Sequence, residues 1–367
     1  MDTFKELNSE NTLEFLRAAL FSGDSLYFAG AGCSQGLGFP GWGKLIENLV
    51  ESLTQNQVQN NGLINYLDLA LEVKKFLQNT NELQLYHSYL HGRFSVPPRK
   101  SGFQKDWPDS NLHRLMLEFP VRSIITTNYD HAFEYYAKEY DKNVHIKTVL
   151  PDNEGSVGDF LFGLKDRRNL QSVFHLHGDY ERASSIILAR DDYDKAYKQN
   201  RVVDGQKVIG ESLYRKVLWT LLTTRCLIFI GFSLTDDYLN EILKEVCADV
   251  WGNFKERHFA LVPYDPDKKD LLEAKKAQFL KDYSIQTVFY NEKNYHEELP
   301  VLLQWLLAPK PVEERRLITE ATAVVEPVAV AESEEIASVS ETVTKAGNLD
   351  IFEKMKKMNK QAVPSHE

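Results

Sequence analysis

The chain has 367 residues, of which 43% are hydrophobic and 26% are charged, a composition typical of a globular protein with a sizeable core. Its net charge of -10 argues against a mainly electrostatic binder of nucleic acid, because such a protein needs a basic surface. No apolar run is long enough to span a membrane, and the first residues lack the basic and apolar regions of a signal peptide. We therefore expect a cytoplasmic protein with no direct nucleic-acid binding and no membrane partner.

The chain contains three cysteines, Cys33, Cys226 and Cys247. Their number is odd, and no two of them have the C-x-x-C spacing. They can form neither a disulfide framework nor a zinc site with four thiolates. Cys226 and Cys247 are interpreted as small apolar residues of the core.

The first part of the chain predicts one strand followed by a long helical region. An apolar strand is predicted over residues 26–29, and a helix follows Trp42. Residues of about 51–118 have a mostly helical pattern without a recognisable strand. This pattern predicts a helical insertion between the first strand and the second.

The remaining strands alternate with helices. Five further strands are predicted, over residues 121–126, 173–177, 226–230, 259–262 and 287–290. The run over 226–230 is continuously apolar, as expected of a strand covered on both faces of a parallel sheet. The alternation predicts an α/β fold, a Rossmann-like doubly wound parallel sheet within a single domain of residues 1–310.

The composition changes after that domain. Residues 311–347 are rich in glutamate and contain no aromatic side chains, which predicts an acidic flexible linker. Residues 348–367 have a short amphipathic pattern, in which Ile351, Met355 and Met358 share a face. This segment is interpreted either as a helix that docks on a partner or as a frayed tail.

The first motif is Gly-Ala-Gly-Cys-Ser at residues 30–34, directly after the first strand. Glycines let the backbone approach a pyrophosphate, and the amides at the start of a following helix favour an anion. The next glycine, Gly36, comes one residue later than in the dehydrogenase fingerprint. Taken alone, the motif indicates either a dinucleotide loop or a tight glycine turn.

The second motif is Thr-Thr-Asn-Tyr-Asp at residues 126–130, also at the end of a strand. Such a position faces the crevice where α/β proteins bind ligands. Asn128 is the better candidate for a contact with a ribose hydroxyl or a water. Asp130 also fits a simple helix cap.

The third motif is His-Leu-His-Gly at residues 175–178. Its two histidines are predicted on the same side of a strand, but no third metal ligand is close in sequence. His177 precedes a glycine at a strand end and is the functional candidate. His175 is interpreted as a structural residue.

The fourth motif is Gly-Phe-Ser-Leu-Thr-Asp-Asp at residues 231–237, after the apolar strand. Gly231 and Ser233 are candidates for contact with adenosine or phosphate, or the segment is a turn in which Thr235 or Asp236 caps a helix. Four polar, glycine-containing turns are thus predicted at one edge of the sheet. A common ligand there explains all four.

In this order the motifs resemble those of the sirtuin (silent information regulator) superfamily, over residues of about 10–300. The resemblance is closer to the bacterial sirtuin-like branch, through Gly-Phe-Pro-Gly-Trp at residues 38–42 and the second, third and fourth motifs. Sirtuin deacetylases carry a zinc ribbon with four cysteines after the catalytic histidine. No cysteine lies between His177 and Cys226, so no zinc ribbon is expected and peptide deacylation is in doubt.

The resemblance implies an NAD+ hydrolase of antiphage defence, which cleaves the nicotinamide–ribose bond to give nicotinamide and ADP-ribose and so depletes cellular NAD. It implies Asn128 and His177 as the catalytic residues, with Asn128 orienting the ribose or the water and His177 acting as general base. NAD is then a substrate, and no metal is expected. The residues that the resemblance places in the dinucleotide site are Gly30, Ala31, Gly32, Ser34, Asp130, Gly231 and Ser233.

Two other functions fit the same motifs. One is an NAD-dependent protein deacylase, and the other is a non-catalytic regulatory subunit that binds NAD or ADP-ribose. Relatives in this branch form oligomers or pair with a separate protein. The resemblance therefore implies a homo-oligomer, with an ATPase, a nuclease or an Argonaute-like protein as a separate sensor subunit.

Overall fold

The computed structural model describes most of the first 309 residues. The described residues are 3–55, 57–58, 65–95, 110–121, 123–140, 142, 146–164, 171–197, 201–203, 206–208, 212–234, 236–251, 258–265 and 270–309. The predicted linker over 311–347 and the predicted amphipathic segment over 348–367 lie outside the described residues.

Within the described residues, seven strands form one sheet in which every neighbouring pair is parallel. The order across the sheet is β3-β4-β2-β1-β7-β8-β9, and β5 and β6 form a separate antiparallel hairpin. The strands are β1 Ser25–Ala29, β2 Ser123–Thr126, β3 Ile146–Val149, β4 Gln171–His175, β5 Arg201–Val203, β6 Gln206–Val208, β7 Cys226–Ile230, β8 His258–Tyr264 and β9 Ile285–Asn291.

Helices connect the strands and cover the sheet. They are α1 Thr3–Leu7, α2 Glu10–Phe21, α3 Gly32–Gln35, α4 Trp42–Thr54, α5 Tyr66–Asn79, α6 Leu83–Phe94, α7 Asn111–Glu118, α8 Ala132–Tyr140, α9 Glu154–Gly163, α10 Arg190–Tyr197, α11 Leu213–Thr224, α12 Asp237–Val246, α13 Asp270–Tyr283, α14 Lys293–His296 and α15 Glu298–Leu307. None of the described helices combines the length and the apolar character that a membrane crossing requires.

The sheet is buried on both faces, as the continuous apolar strands predict. Every residue of β1 is buried, and consecutive side chains point to opposite faces. Phe28 packs into the core on one face, whereas Tyr27 and Ala29 pack into the core on the other. The predicted doubly wound α/β fold is confirmed.

The connections of the central strand define where a ligand crevice forms. From β1 the chain continues to β2 on one side, and it later returns to β7 on the other side. In an open parallel sheet such a switch of direction opens a crevice at the carboxyl ends of the strands. The loops after β1, β2 and β7 all begin at this edge.

Helices α4, α5 and α6 lie between β1 and β2 and share a hydrophobic core of their own. The helix that follows Trp42 buries the apolar side that its spacing predicts. This core also contains Tyr129 from the second motif, together with Ile186 and Leu188. The helical region therefore packs directly against the segments that follow β2 and β4.

Two strands of the seven-stranded sheet differ from the sequence-based prediction. Strand β3 was not predicted, because it is a short edge strand in which only Val149 is buried. The strand predicted over 173–177 ends at His175, and His177 lies in the turn that follows. The prediction that both histidines line one face of a strand is therefore wrong.

Candidate active site

The loops after β1 and β7 touch through their glycines. Gly32 N donates to Gly231 O at 2.8 Å, and Gly30 N donates to Ile230 O at 3.0 Å. A Cβ on Gly30 would lie 2.6 Å from Gly231 O, and one on Gly32 would lie 2.8 Å from Gly231 Cα. Gly231 itself has a φ of +61°, which glycine adopts at no steric cost. The structure therefore needs glycine at these three positions for contact between the two loops.

Asn128 follows β2, and its side chain is held in one orientation against the loop after β1. Its Nδ2 donates to Gly30 O and to Ser34 Oγ, each at 3.1 Å. Its backbone amide donates to Thr126 Oγ1 at 3.0 Å. Asn128 Oδ1 is buried and has no hydrogen-bond partner among the described residues. A buried acceptor without a partner costs about 1–3 kcal/mol, so a ligand hydroxyl that donates to it would be favoured.

Asp130 caps α8 and also positions Ser34. Its Oδ1 accepts from Ala132 N and from Ser34 Oγ, both at 3.1 Å. Burial raises the pKa of Asp130, while the hydrogen bonds from Ala132 and Ser34 act to lower it. The carboxyl therefore contacts the first motif through Ser34, which in turn contacts Asn128.

His177 is buried beneath two tyrosines of α10. Its Nε2 lies 3.0 Å from the Tyr197 hydroxyl, and its Nδ1 lies 3.4 Å from the Tyr193 hydroxyl. Tyr193 also donates to Asp236 Oδ2 at 3.2 Å. Burial lowers the pKa of His177, and Asp236 opposes that shift only in part. The imidazole is therefore neutral near pH 7 and can accept a proton.

His175 belongs to a different group of side chains from His177. Its Nδ1 lies 2.9 Å from Asn128 O, and its Nε2 lies 2.9 Å from Glu134 Oε1. Burial acts to lower the pKa of His175, but the neighbouring Glu134 carboxylate outweighs it and raises the pKa to about 9. Burial acts to raise the pKa of Glu134, and His175 holds it below its ordinary value. Without a bound ion, the two side chains form a buried ion pair.

His131 brings a second imidazole to this group. Its Nε2 lies 2.9 Å from Asp179 Oδ2. One ligand atom from each of His131, Glu134 and His175 lies within 4.8 Å of the others, a set that could hold a metal ion.

The remaining motif residues lie on the two glycine loops. Ala31 precedes α3 and is partly exposed, and Ser233 is exposed. Cys33 is buried in the first loop, and burial, with a further contribution from Asp130, raises its thiol pKa to about 12. At neutral pH this thiol is protonated, which excludes it as an activated nucleophile. Asp236 caps α12 by accepting from Leu239 N at 3.0 Å.

Four further residues lie in these groups without being predicted from the sequence as site residues: Tyr193, Tyr197, His131 and Glu134. The two tyrosines are spaced four residues apart, a pattern that indicates one face of a helix but does not indicate what that face contacts. His131 and Glu134 have an i, i+3 spacing at the start of α8, and only the pairing of β2 with β4 brings His175 next to them.

The chain is similar to one family model and to several known proteins. Residues 122–288 match the family model described as a SIR2-like domain. The chain is 27% identical over 285 residues to the NAD(+) hydrolase ThsA of Bacillus cereus (strain MSX-D12), covering 75% of this chain and 52% of that protein. It is 22% identical over 311 residues to Defense-associated sirtuin 2 of Bacillus subtilis, covering 83% of this chain and 27% of that protein.

A solved structure of a Sir2 homolog in complex with NAD aligns with 80% of this chain and 93% of that chain, at 12% identity and a TM-score of 0.36. The chain spans about half the length of the B. cereus relative that it matches.

Proposed function

We propose that this chain hydrolyses NAD+ to nicotinamide and ADP-ribose, because residues 122–288 match the family model described as a SIR2-like domain. Several relatives of 25–28% identity bear the name NAD(+) hydrolase, which supports the proposal. No cysteine lies between His177 and Cys226, so the four thiolate ligands of a sirtuin deacetylase's zinc ribbon are missing from this segment.

The main support for this proposal is Asn128 Oδ1, which has no hydrogen-bond partner among the described residues. The amide nitrogen of this side chain is engaged by Gly30 and Ser34, so the oxygen is a fixed, buried acceptor beside the glycine loops. A ribose hydroxyl or a water molecule is the donor that such an acceptor requires. Orientation of a reactant by a preorganised group accelerates a reaction because the entropic cost is already met.

We assign the proton-accepting role to His177. The reaction breaks the bond between C1′ of the ribose and the nicotinamide nitrogen, and the bonding electrons leave with nicotinamide. Water then bonds to C1′ and loses one proton, which His177 accepts directly or through a ribose hydroxyl. For this, the ring must exchange a tyrosine partner on α10 for the substrate or the water.

The dinucleotide site of the proposal consists of Gly30, Ala31, Gly32, Ser34, Asp130, Gly231 and Ser233. The glycines allow a pyrophosphate to approach the backbone, whose amides are hydrogen-bond donors. Asp130 has a different role from the others, because its carboxylate accepts from Ser34 and would repel a phosphate. It holds Ser34 in place.

Depletion of NAD in defence against phage is the cellular role that we propose, in a cytoplasmic protein. Uncontrolled hydrolysis of NAD would kill the host, so the activity needs a gate. Helices α4 to α6, which pack against the segments after β2 and β4, are one candidate control element. A homo-oligomer and a separate sensor subunit, such as an ATPase, a nuclease or an Argonaute-like protein, are the proposed partners.

The test is mass spectrometry of NAD+ incubated with the full chain, with each oligomeric fraction assayed separately. We expect nicotinamide and ADP-ribose in equal amounts. Turnover should be about a hundredfold slower or more for Asn128→Ala, which loses the orienting group, and for His177→Ala, which loses the general base. The matched controls, Asn79→Ala and His87→Ala, replace the same residue types outside the site and should keep the wild-type rate. Circular dichroism verifies that each variant is folded.

The same assay separates the two alternative functions. A deacylase would release nicotinamide only when an acylated peptide is added, and it would form O-acyl-ADP-ribose. A non-catalytic subunit would bind ADP-ribose in calorimetry, leave NAD+ intact in every fraction and tolerate His177→Ala. Either result rejects the hydrolase.

A further inference from the structure

A second site lies beside Asn128, between the end of β4 and the start of α8. It consists of His131, Glu134 and His175, whose ligand atoms lie within 4.8 Å of one another. The three residues come from two segments of the chain that are joined by the parallel pairing of β2 with β4. His175 is fully buried, Glu134 is nearly so, and the His131 side chain is 17% exposed to solvent. The site is therefore closed on the side of the sheet and reachable from the side of His131.

The surroundings of His175 are those of a metal ligand. Its Nδ1 lies 2.9 Å from the backbone oxygen of Asn128, which can only accept, so Nδ1 carries the proton. The other ring nitrogen, Nε2, then faces Glu134. Metal-binding histidines commonly donate their second nitrogen to a backbone carbonyl or a carboxylate, which fixes the ring for coordination.

The two carboxylate oxygens of Glu134 differ in their contacts. Its Oε1 lies 2.9 Å from His175 Nε2 and accepts from Thr148 Oγ1 at 3.0 Å. Its Oε2 is buried and has no hydrogen-bond partner among the described residues. A carboxylate oxygen in this state is costly unless something satisfies it. A cation held between the two histidines would satisfy it.

We propose that His131, Glu134 and His175 bind a divalent transition metal, with Zn²⁺ as the best match. Two imidazoles and one carboxylate are a ligand set that zinc accepts, with a fourth position left for water or another oxygen. Asp179, whose Oδ2 lies 2.9 Å from His131 Nε2, is a neighbouring carboxylate that contacts the outer histidine of this set. A magnesium or calcium ion would instead favour an all-oxygen set.

A bound metal would tie the first turn of α8 to the end of β4. The turn from β2 into α8 carries Asn128 and Asp130, so the metal would stiffen the segment that holds both. This inference does not depend on NAD hydrolysis, since it concerns residues outside the proposed catalytic pair. The alternative is a metal-free ion pair between His175 and Glu134 that uses the same side chains, and only metal content distinguishes the two.

The test measures zinc bound to the full chain without a polyhistidine tag. The protein is stripped with a chelator, dialysed against Zn²⁺ and analysed by inductively coupled plasma mass spectrometry. We expect about one zinc per chain and a rise in melting temperature on loading, because a ligand that binds only the folded state stabilises it. His131→Ala and Glu134→Gln should weaken zinc binding by roughly tenfold to a hundredfold or more.

The control variant is His87→Ala, which removes a histidine of α6 outside the site and should bind zinc as the wild type does. His131 is partly exposed, so His131→Ala keeps the test valid even if Glu134→Gln does not fold. X-ray absorption of the zinc-loaded wild type should show imidazole and oxygen ligands without sulfur. Zinc binding that is absent, that His131→Ala leaves unchanged, or that involves sulfur ligands would overturn the proposal.

Discussion

At the scale of single residues, the site depends on backbone contacts that only glycine permits. Gly231 lies where the loop after β7 meets the loop after β1, and its φ is +61°. The atoms around it belong mainly to the backbone of Gly32 and Cys33, which cannot move aside as a flexible side chain would. The loop after β1 also holds Gly30 O and Ser34 Oγ against Asn128.

Gly231→Ala should therefore destabilise the protein. The added Cβ would lie 2.5 Å from Cys33 N and 2.9 Å from Gly32 C, and the left-handed φ adds strain. We expect the free energy of unfolding to fall by about 2 kcal/mol or more, measured by urea denaturation. Gly36→Ala is the matched control, because its Cβ would meet nothing within 4 Å and its φ is −60°. Equal stability of the two variants would contradict the tight contact between the loops.

At the scale of elements, helix α10 connects the helical region to His177. One end of the connection is a pair of hydroxyls, from Tyr193 and Tyr197, that contact the two ring nitrogens of His177. The other end is a set of ion pairs with α5. Arg190 forms an ion pair with Asp68. Lys74 Nζ lies 2.8 Å from Asp191 Oδ2 and 2.7 Å from Asp192 Oδ1. These ion pairs therefore join α5 to the helix whose tyrosines cover His177.

The strength of this connection can be measured with two adjacent lysines of α5. The Lys74 side chain is only 12% exposed and bridges to two aspartates of α10, so Lys74→Ala leaves both without their cation. We expect a loss of about 1–2 kcal/mol in the free energy of unfolding. Lys75 is 53% exposed and pairs with Glu72 of its own helix, so Lys75→Ala should cost less than about 0.5 kcal/mol. Comparable losses in the two variants would show that Lys74 does not hold α10 to α5.

At the scale of the whole molecule, sequence patterns predict the sheet well where strands are buried on both faces. The run over 226–230 is continuously apolar, and β7 occupies those residues next to the central strand β1. Strand β3 is not predicted from the sequence. It is an edge strand of four residues, three of them partly exposed, and so it has almost no apolar pattern. The end of β4 escapes prediction because alternation continues past His175, whereas the chain already turns there.

The candidate site was predictable only where its residues are adjacent in sequence. Asn128 and His177 stand in motifs at strand ends, and the sequence identifies them as candidates. Tyr197 and Glu134 contact the two histidines across 20 and 41 residues, separations that a local pattern does not cover. A group assembled by tertiary contact, such as His131 with His175, needs the strand order before it can be recognised.

The two ends of the described domain close the same core, which makes the last helix a test of its cooperativity. Phe4 N donates to Glu298 Oε1 at 3.1 Å, and Leu302 is fully buried in the core that also contains Phe4. Leu302→Ala should lower the free energy of unfolding by about 2–5 kcal/mol, because it removes apolar contacts and leaves a cavity. Val301 is 43% exposed on the same helix, so Val301→Ala should cost less than about 0.5 kcal/mol. Both variants should unfold in a single transition, monitored by circular dichroism and tryptophan fluorescence. A separate early transition in Leu302→Ala would mean that α15 unfolds independently of the sheet.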